Sequence, residues 1–292
     1  MRLIHTKELE LSRLFVQNEV PDYVILSHRW GTEEEEVRFA DMMKGSMKDP
    51  RSEVRKKSGF AKVQGACEMA LRNGYEWLWI DSCCIDKSSS AELQEAINSM
   101  WRYYEQANIC YTYMADVPDA HAGRGDAFGK SEWFTRGWTL QELIASTYVE
   151  FFAKNWEQIG TKFERYEEIA DITSIDWRVL LHTKPKSDFT VAEKMSWAAH
   201  RMVTREEDES YSLMGLFDVN MPLIYGEGRR KAFGRLQEAI YNSTVDQSIF
   251  LFHYSSAITE HSLLADSPTR FCEKWFLIIR PLDTQKEPYA YS

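Results

Sequence analysis

The chain has 292 residues, 44% of them hydrophobic and 13% aromatic, and a formal net charge of −10. That is apolar material for one large core or two small ones, and the acidic balance excludes nonspecific binding to nucleic acid or an anionic membrane. No apolar run approaches the roughly 18 residues of a membrane span. The N-terminal MRLIHTKE has no apolar signal core. Cys67, Cys83, Cys84, Cys110 and Cys272 form no C-x-x-C pair, which argues against zinc and disulfide frameworks. Free thiols fit a reducing compartment, so a cytoplasmic location is expected.

Residues 23–26 (YVIL) read as a buried strand ending in the polar turn Ser27, His28, Arg29, Trp30 and Gly31. The carboxylate run 33–36 is expected as a solvated loop, and Arg55, Lys56 and Lys57 as a helix surface. Phe60, Val63, Cys67, Ala70 and Leu71 recur at helical spacing, with Asn73 and Gly74 closing that helix. Residues 77–80 (WLWI), ending at Asp81, read as a central strand covered on both faces. Ser89 and Glu92 predict a capping box before a helical face of Leu93, Ile97, Met100, Trp101 and Tyr104. A third strand is expected at 109–114. A glycine-rich mobile loop at 116–132, a helix at 133–145 and a fourth strand at 148–152 follow.

The second half reads as mainly helical. Thr190 with Glu193, and Thr204 with Glu207, predict capping boxes for helices 191–203 and 205–215. Phe233, Leu236 and Ile240 face inward on a helix after the turn YGEG, and late strands are expected at 249–252 and 275–279. Alternating strands and helices in the first half predict an α/β fold with a doubly wound parallel sheet. Ligands bind such sheets outside the carboxyl ends of the strands, which here carry His28, Arg29, Trp30, Asp81 and Asp86. No long or low-complexity linker interrupts the chain. A single domain over 1–292 is expected, with an α/β core at 1–157 and a helical annex at 158–292 packed on it.

The motif GRGDAFGKS at 123–131 nearly matches a phosphate-binding loop, but Arg124 stands where that motif needs glycine. A mobile lid is the plainer reading. No dinucleotide fingerprint, nucleophile elbow or H-E-x-x-H zinc motif occurs. Cys83 or Cys84 with His28 leaves a Cys–His hydrolase open. Asp81 can bind a ribose or cap the next segment, and Arg29 and Arg136 can steer a phosphate or pair with carboxylates. Asp208 belongs to a solvated helix start or pairs with an arginine where the two halves meet. Glu142, four residues after Trp138, is either a tuned catalytic carboxylate or an ion-pair partner.

MRLIHTKELEL, YVILSHRWG, WIDSCCIDK, YYEQANICYTYMADV, WFTRGWTLQEL, TREEDESYSLMGLFDV and YGEGRRKAFGRLQEAI occur in this order. Together they resemble the heterokaryon incompatibility (HET) domain of fungi, a module that triggers cell death when unlike individuals fuse. The likeness covers most of the chain and weakens after SIFLF. Lys87 stands where the family usually has glutamine. More remotely, YVILSHRWG resembles the first strand of TIR domains. RGWTLQELIA is similar to their segment serine–x–tryptophan–cysteine–x–x–glutamate–leucine, with Thr139 at the cysteine and Glu142 at the catalytic glutamate.

That second resemblance implies a TIR-like, flavodoxin-like core that cleaves NAD⁺ as a substrate, with no cofactor and no metal. Nicotinamide leaves as a neutral molecule and needs no general acid. The oxocarbenium-like ribose left behind needs an anionic neighbour. Glu142 is expected to supply it, Trp138 or Trp30 to stack on a planar ring, and Arg29 or Arg136 to contact the diphosphate. Ser27, His28, Gly31 and Asp81 complete the expected substrate site. The resemblance also implies activation by self-association and a fused or separate receptor or sensor domain. A non-enzymatic module that self-associates to recruit a death effector is the rival expectation.

Overall fold

The computed structural model describes residues 1–16, 19–44, 47–49, 51–253 and 263–272. Among them β1 (Ile4–His5), β2 (Glu10–Leu11), β3 (Val24–His28), β4 (Trp77–Trp79), β5 (Ile109–Met114), β6 (Val149–Ala153) and β7 (Gln158–Thr161) form one mixed sheet. Its order is β2-β1-β4-β3-β5-β6-β7. β4, β3, β5 and β6 are parallel, as expected of the three apolar runs and the strand after them. Numbered among themselves they run 2-1-3-4, the order of flavodoxin-like doubly wound sheets. Both edges are antiparallel: the β1–β2 hairpin on β4, and β7 on β6.

Every residue of β3 is buried, because both faces of a central parallel strand lie under helices. The helix Gly59–Arg72 joins β3 to β4 and buries Phe60, Val63, Cys67 and Ala70; Leu71, expected inward, is exposed. The helix Ser90–Gln106 joins β4 to β5 and buries Ile97, Met100 and Tyr104. Strand order reverses between β3 and β5. The polar residues at the carboxyl end of β3 therefore lie at the topological switch point, the place where such folds bind ligands.

The expected helix 133–145 is broken. A 3₁₀ turn, Glu132–Thr135, precedes the helix Thr139–Ala145, which begins after Trp138. All seven residues of that helix are buried, so it lies inside the molecule rather than on its surface. The segment 116–132, expected as a mobile lid, is packed. It holds the helix Ala120–Arg124 and the buried Phe128, and Ser131 bonds Asp116 at 2.7 Å. The run 33–36 is not wholly solvated either: Glu36 is 1% exposed.

The later chain is helical and is tied to the sheet's flank. Gln94 accepts from Leu223 N at 2.6 Å and donates to Met221 O at 2.8 Å. A Cβ on Gly215 would lie 2.4 Å from Cβ of Trp101, so only glycine allows this approach. Thr190 and Glu193 form a complete capping box over Val191–Ala198. Ser89 caps its helix, but Glu92 turns instead to Asp86 N and Arg2. Thr204 and Glu207 form no box: the Glu207 carboxylate accepts from Gly226 N and Gly228 N, and two short helices, Asp208–Tyr211 and Met214–Phe217, replace the expected one. Residues 249–252 form no strand, being entered by the 3₁₀ turn Gln247–Phe250; the expected strand 275–279 lies outside the described residues.

Candidate functional site

Ser27 and Glu142 meet at the carboxyl end of β3. The Ser27 hydroxyl donates to Glu142 Oε2 and accepts from Trp133 Nε1 at 2.8 Å. Ser27 is fully buried and Glu142 is 8% exposed. Burial raises the Glu142 carboxyl to about 8, and the nearby Asp81 pushes in the same direction; the Ser27 and Tyr104 hydroxyls and Arg201 pull it down. A carboxylate buried this deeply is predominantly neutral at neutral pH. Any cation delivered beside it favours ionisation.

Beside this pair runs a second polar chain. Glu36 Oε1 accepts from Lys62 Nζ at 2.5 Å, and Lys62 Nζ reaches His28 Nδ1 at 2.7 Å. An ammonium only donates, so Nδ1 accepts and Nε2 carries the imidazole proton. His28 Nε2 then donates to Asp81 Oδ1 at 3.1 Å, and Trp30 Nε1 bonds the same carboxylate at 3.0 and 3.2 Å. Burial works against the Asp81 charge, but Lys87, His28 and Trp30 hold the carboxyl well below its ordinary range. Lys87 Nζ also lies 3.5 Å from the centre of the Trp30 ring, so one face of that indole is covered. Gly31 contributes its N–H to Glu36 Oε2 at 3.0 Å.

The later half of the chain closes over these groups. Trp138 bonds Asp208, whose carboxyl burial raises, and Tyr225 donates to Asp208 at 2.9 Å. Arg136 Nη2 reaches Thr204 Oγ1 at 3.3 Å and lies near Arg29. Arg29 itself is half-exposed and paired with Glu132. Arg201 crosses the first turn of the helix that bears Glu142. Its Nη1 donates to Arg136 O at 2.9 Å and to Thr139 Oγ1 at 3.0 Å.

These contacts bear on the other sequence readings. Both ring nitrogens of His28 are engaged, by Lys62 and Asp81, so neither is free to activate a thiol. Cys83 Sγ points at Val37 O and Cys84 Sγ lies against Ile80 N, and burial pushes both thiols up. In the GRGDAFGKS segment Lys130 pairs with Asp126 and Ser131 with Asp116, an arrangement that cradles no phosphate. Among the described residues no group of three or more His, Cys, Asp or Glu is placed to hold a metal, and no helix is long and apolar enough to cross a membrane.

The structure thus brings together Ser27, His28, Trp30, Asp81, Trp138 and Glu142, with Arg136 at the margin; Gly31 acts through its backbone and Arg29 turns to the surface. Sequence reasoning missed Trp133, Lys62, Glu36 and Arg201. Trp133 stands inside the motif that drew attention to Glu142, and a tryptophan so placed needs a partner for its N–H. Nothing in the spacing of Lys62 or Arg201 marks them.

Residues 23–125 match the family described as heterokaryon incompatibility protein (HET). The vegetative incompatibility protein HET-E-1 of Podospora anserina is 47% identical over 239 residues, which are 80% of this chain and 17% of that protein. The chain therefore spans only a small part of the curated relative's length. No solved structure matches.

Proposed function

The chain belongs to the heterokaryon incompatibility (HET) family, and on that premise we propose that it signals incompatibility or cell death by cleaving NAD⁺ to release nicotinamide, with Glu142 as the key carboxylate. The observation that supports this most is the burial of Glu142 against Ser27 beside the strand-order reversal, with its carboxyl raised to about 8. A carboxyl so far from its ordinary range, at a strand-order reversal, is a functional-site candidate.

The chemistry follows from the charges. The nicotinamide ring of NAD⁺ is a pyridinium. Placed beside the neutral Glu142 it favours loss of the carboxyl proton, because an opposite charge a few ångströms away stabilises the ionised form. The resulting carboxylate then faces the positive charge that moves onto the ribose as the C–N bond breaks. Nicotinamide leaves with the bonding electron pair and is neutral. Water adds to the ribose carbon and gives its proton to the Glu142 carboxylate, replacing the proton that went to solvent when the pyridinium bound. Asp81, fixed by His28 and Trp30, is the second anion of the site and supplies acceptors for ribose hydroxyls.

Self-association would activate the chain by opening the closed cluster around Glu142. The test is free nicotinamide, read by chromatography, from NAD⁺ incubated with the chain alone and with the chain clustered on a multivalent scaffold. Release that rises on clustering is the expected result. No release in either state overturns the enzymatic reading and leaves a non-enzymatic, self-associating module.

A further inference from the structure

Arg201 is held by three acceptors and still has a donor to spare. Nε donates to Trp197 O at 3.3 Å, and Nη1 to Arg136 O and Thr139 Oγ1. The segment around it is fastened to the chain before the Glu142 helix, with Met202 N on Thr135 O at 2.6 Å and Gly137 N on Met202 O at 2.8 Å. The guanidinium plane is therefore fixed. Its Nη2 is sealed from solvent and has no hydrogen-bond partner among the described residues.

A buried charged donor left without an acceptor is costly, and a bound anion is one arrangement that removes the cost. Glu142 is the one charge partner that acts on Arg201, and burial pushes the guanidinium down to about 9. Arg29 already has Glu132, and Arg136 reaches Thr204.

We propose that Arg201 Nη2 binds an anionic oxygen of the substrate: the phosphate attached to the ribose whose bond is cleaved at Glu142. This rests on the NAD⁺ reading above and deepens it, because a ribose seated on Glu142 puts its own 5′-phosphate within a few bonds of the reacting carbon. The later half of the chain then forms part of the substrate site, through a residue that no motif marks. The alternative role for Arg201 is as counter-ion to an ionised Glu142, and the two roles have different kinetic signatures.

The experiment measures NAD⁺ cleavage by the clustered full chain against substrate concentration and pH, for wild type, Arg201→Lys and Arg201→Met. Nicotinamide riboside, which lacks the phosphate, is read as an inhibitor of the same reaction. Thermal melts check folding, and Arg201→Lys keeps the charge if Arg201→Met does not fold. The expected result is a KM for NAD⁺ raised about 10- to 100-fold, the size of one buried charge-assisted hydrogen bond. Against this, kcat and its pH midpoint change little in Arg201→Lys, which keeps the charge; in Arg201→Met the midpoint rises, because the charge that pulls the Glu142 carboxyl down is gone, and in both the inhibition constant of nicotinamide riboside stays within about threefold. An unchanged KM for NAD⁺ in both variants, or a lost kcat with a displaced pH midpoint in Arg201→Lys, overturns the phosphate role. A wild type that cleaves no NAD⁺ overturns the NAD⁺ reading and this inference together.

Discussion

The Ser27 hydroxyl, at the end of the first parallel strand, donates to the carboxylate of Glu142, 115 residues later in the chain. The bond joins the sheet to the buried helix Thr139–Ala145, and Trp133 orients it from the other side. It favours the charged form of a carboxyl that burial drives toward the neutral form. Much of what the fold does at this site follows from that opposition.

Glu142 makes stability depend on pH. Between the ordinary carboxylate range and about 8, the folded chain holds a proton that the unfolded chain releases. Stability therefore falls as pH rises across that window. Glu142→Gln removes this dependence. Its Tm should exceed that of wild type at pH 8, by at least about 2 °C, and the gap should close toward pH 5. Thermal melts at three pH values check this. Equal melting at pH 8 would contradict the burial account.

Ser27→Ala leaves Trp133 Nε1 without its acceptor and takes from Glu142 one of its two hydroxyl partners, Tyr104 remaining. The expected cost is about 1–3 kcal/mol in urea unfolding. With a bond to the charged form gone, the Glu142 carboxyl rises further, so the midpoint of kcat/KM against pH should move above about 8. A midpoint that stays put would show that Ser27 does not act on Glu142.

Lys62→Met leaves Glu36 buried without its cation and frees His28 Nδ1. Breaking a buried pair in this way costs about 3–5 kcal/mol. Adding Glu36→Leu should recover a large part, because the orphaned charge is then gone. Urea unfolding of the single and double variants reads both steps. Equal stability of the two variants would mean that the pair is not a buried unit.

Native thiol chemistry separates the cysteines. Cys67, Cys83, Cys84 and Cys110 are buried, and Cys272 is exposed. Brief alkylation of the folded chain should modify Cys272 alone, read by mass spectrometry. Cys84→Ala should leave any NAD⁺ cleavage within about threefold of wild type, since the thiol is inert in its apolar surroundings. Rapid labelling at Cys83 or Cys84 would revive the Cys–His reading.

Legibility in the sequence varied with the physics of each element. β3, β4 and β5 were readable because continuous apolar runs bounded by helical periodicity leave few alternatives. The edge strands were not: β1, β2 and β7 are two to four residues long and are stabilised by pairing, which propensity does not record. The Thr204 cap failed because Glu207 was captured by Gly226 and Gly228, a tertiary contact. Glu36 looked solvated within its acidic run, and only the buried Lys62, 26 residues away, explains its position. At the site, strand ends pointed to His28 and Asp81 from connectivity alone, and Ser27 entered only through the family resemblance. Arg201 arrives by chain folding from the other half.

The most direct test of the account is nicotinamide release from NAD⁺ by clustered wild type and clustered Glu142→Gln, with the exposed Glu238→Gln as the matched charge control. Gln keeps the volume and can accept from Ser27, so folding should survive. Loss of an electrostatic partner for the transition state predicts a fall of about 10²–10³ in rate or more, with Glu238→Gln at the wild-type rate. A folded Glu142→Gln that releases nicotinamide as fast as wild type contradicts the central claim.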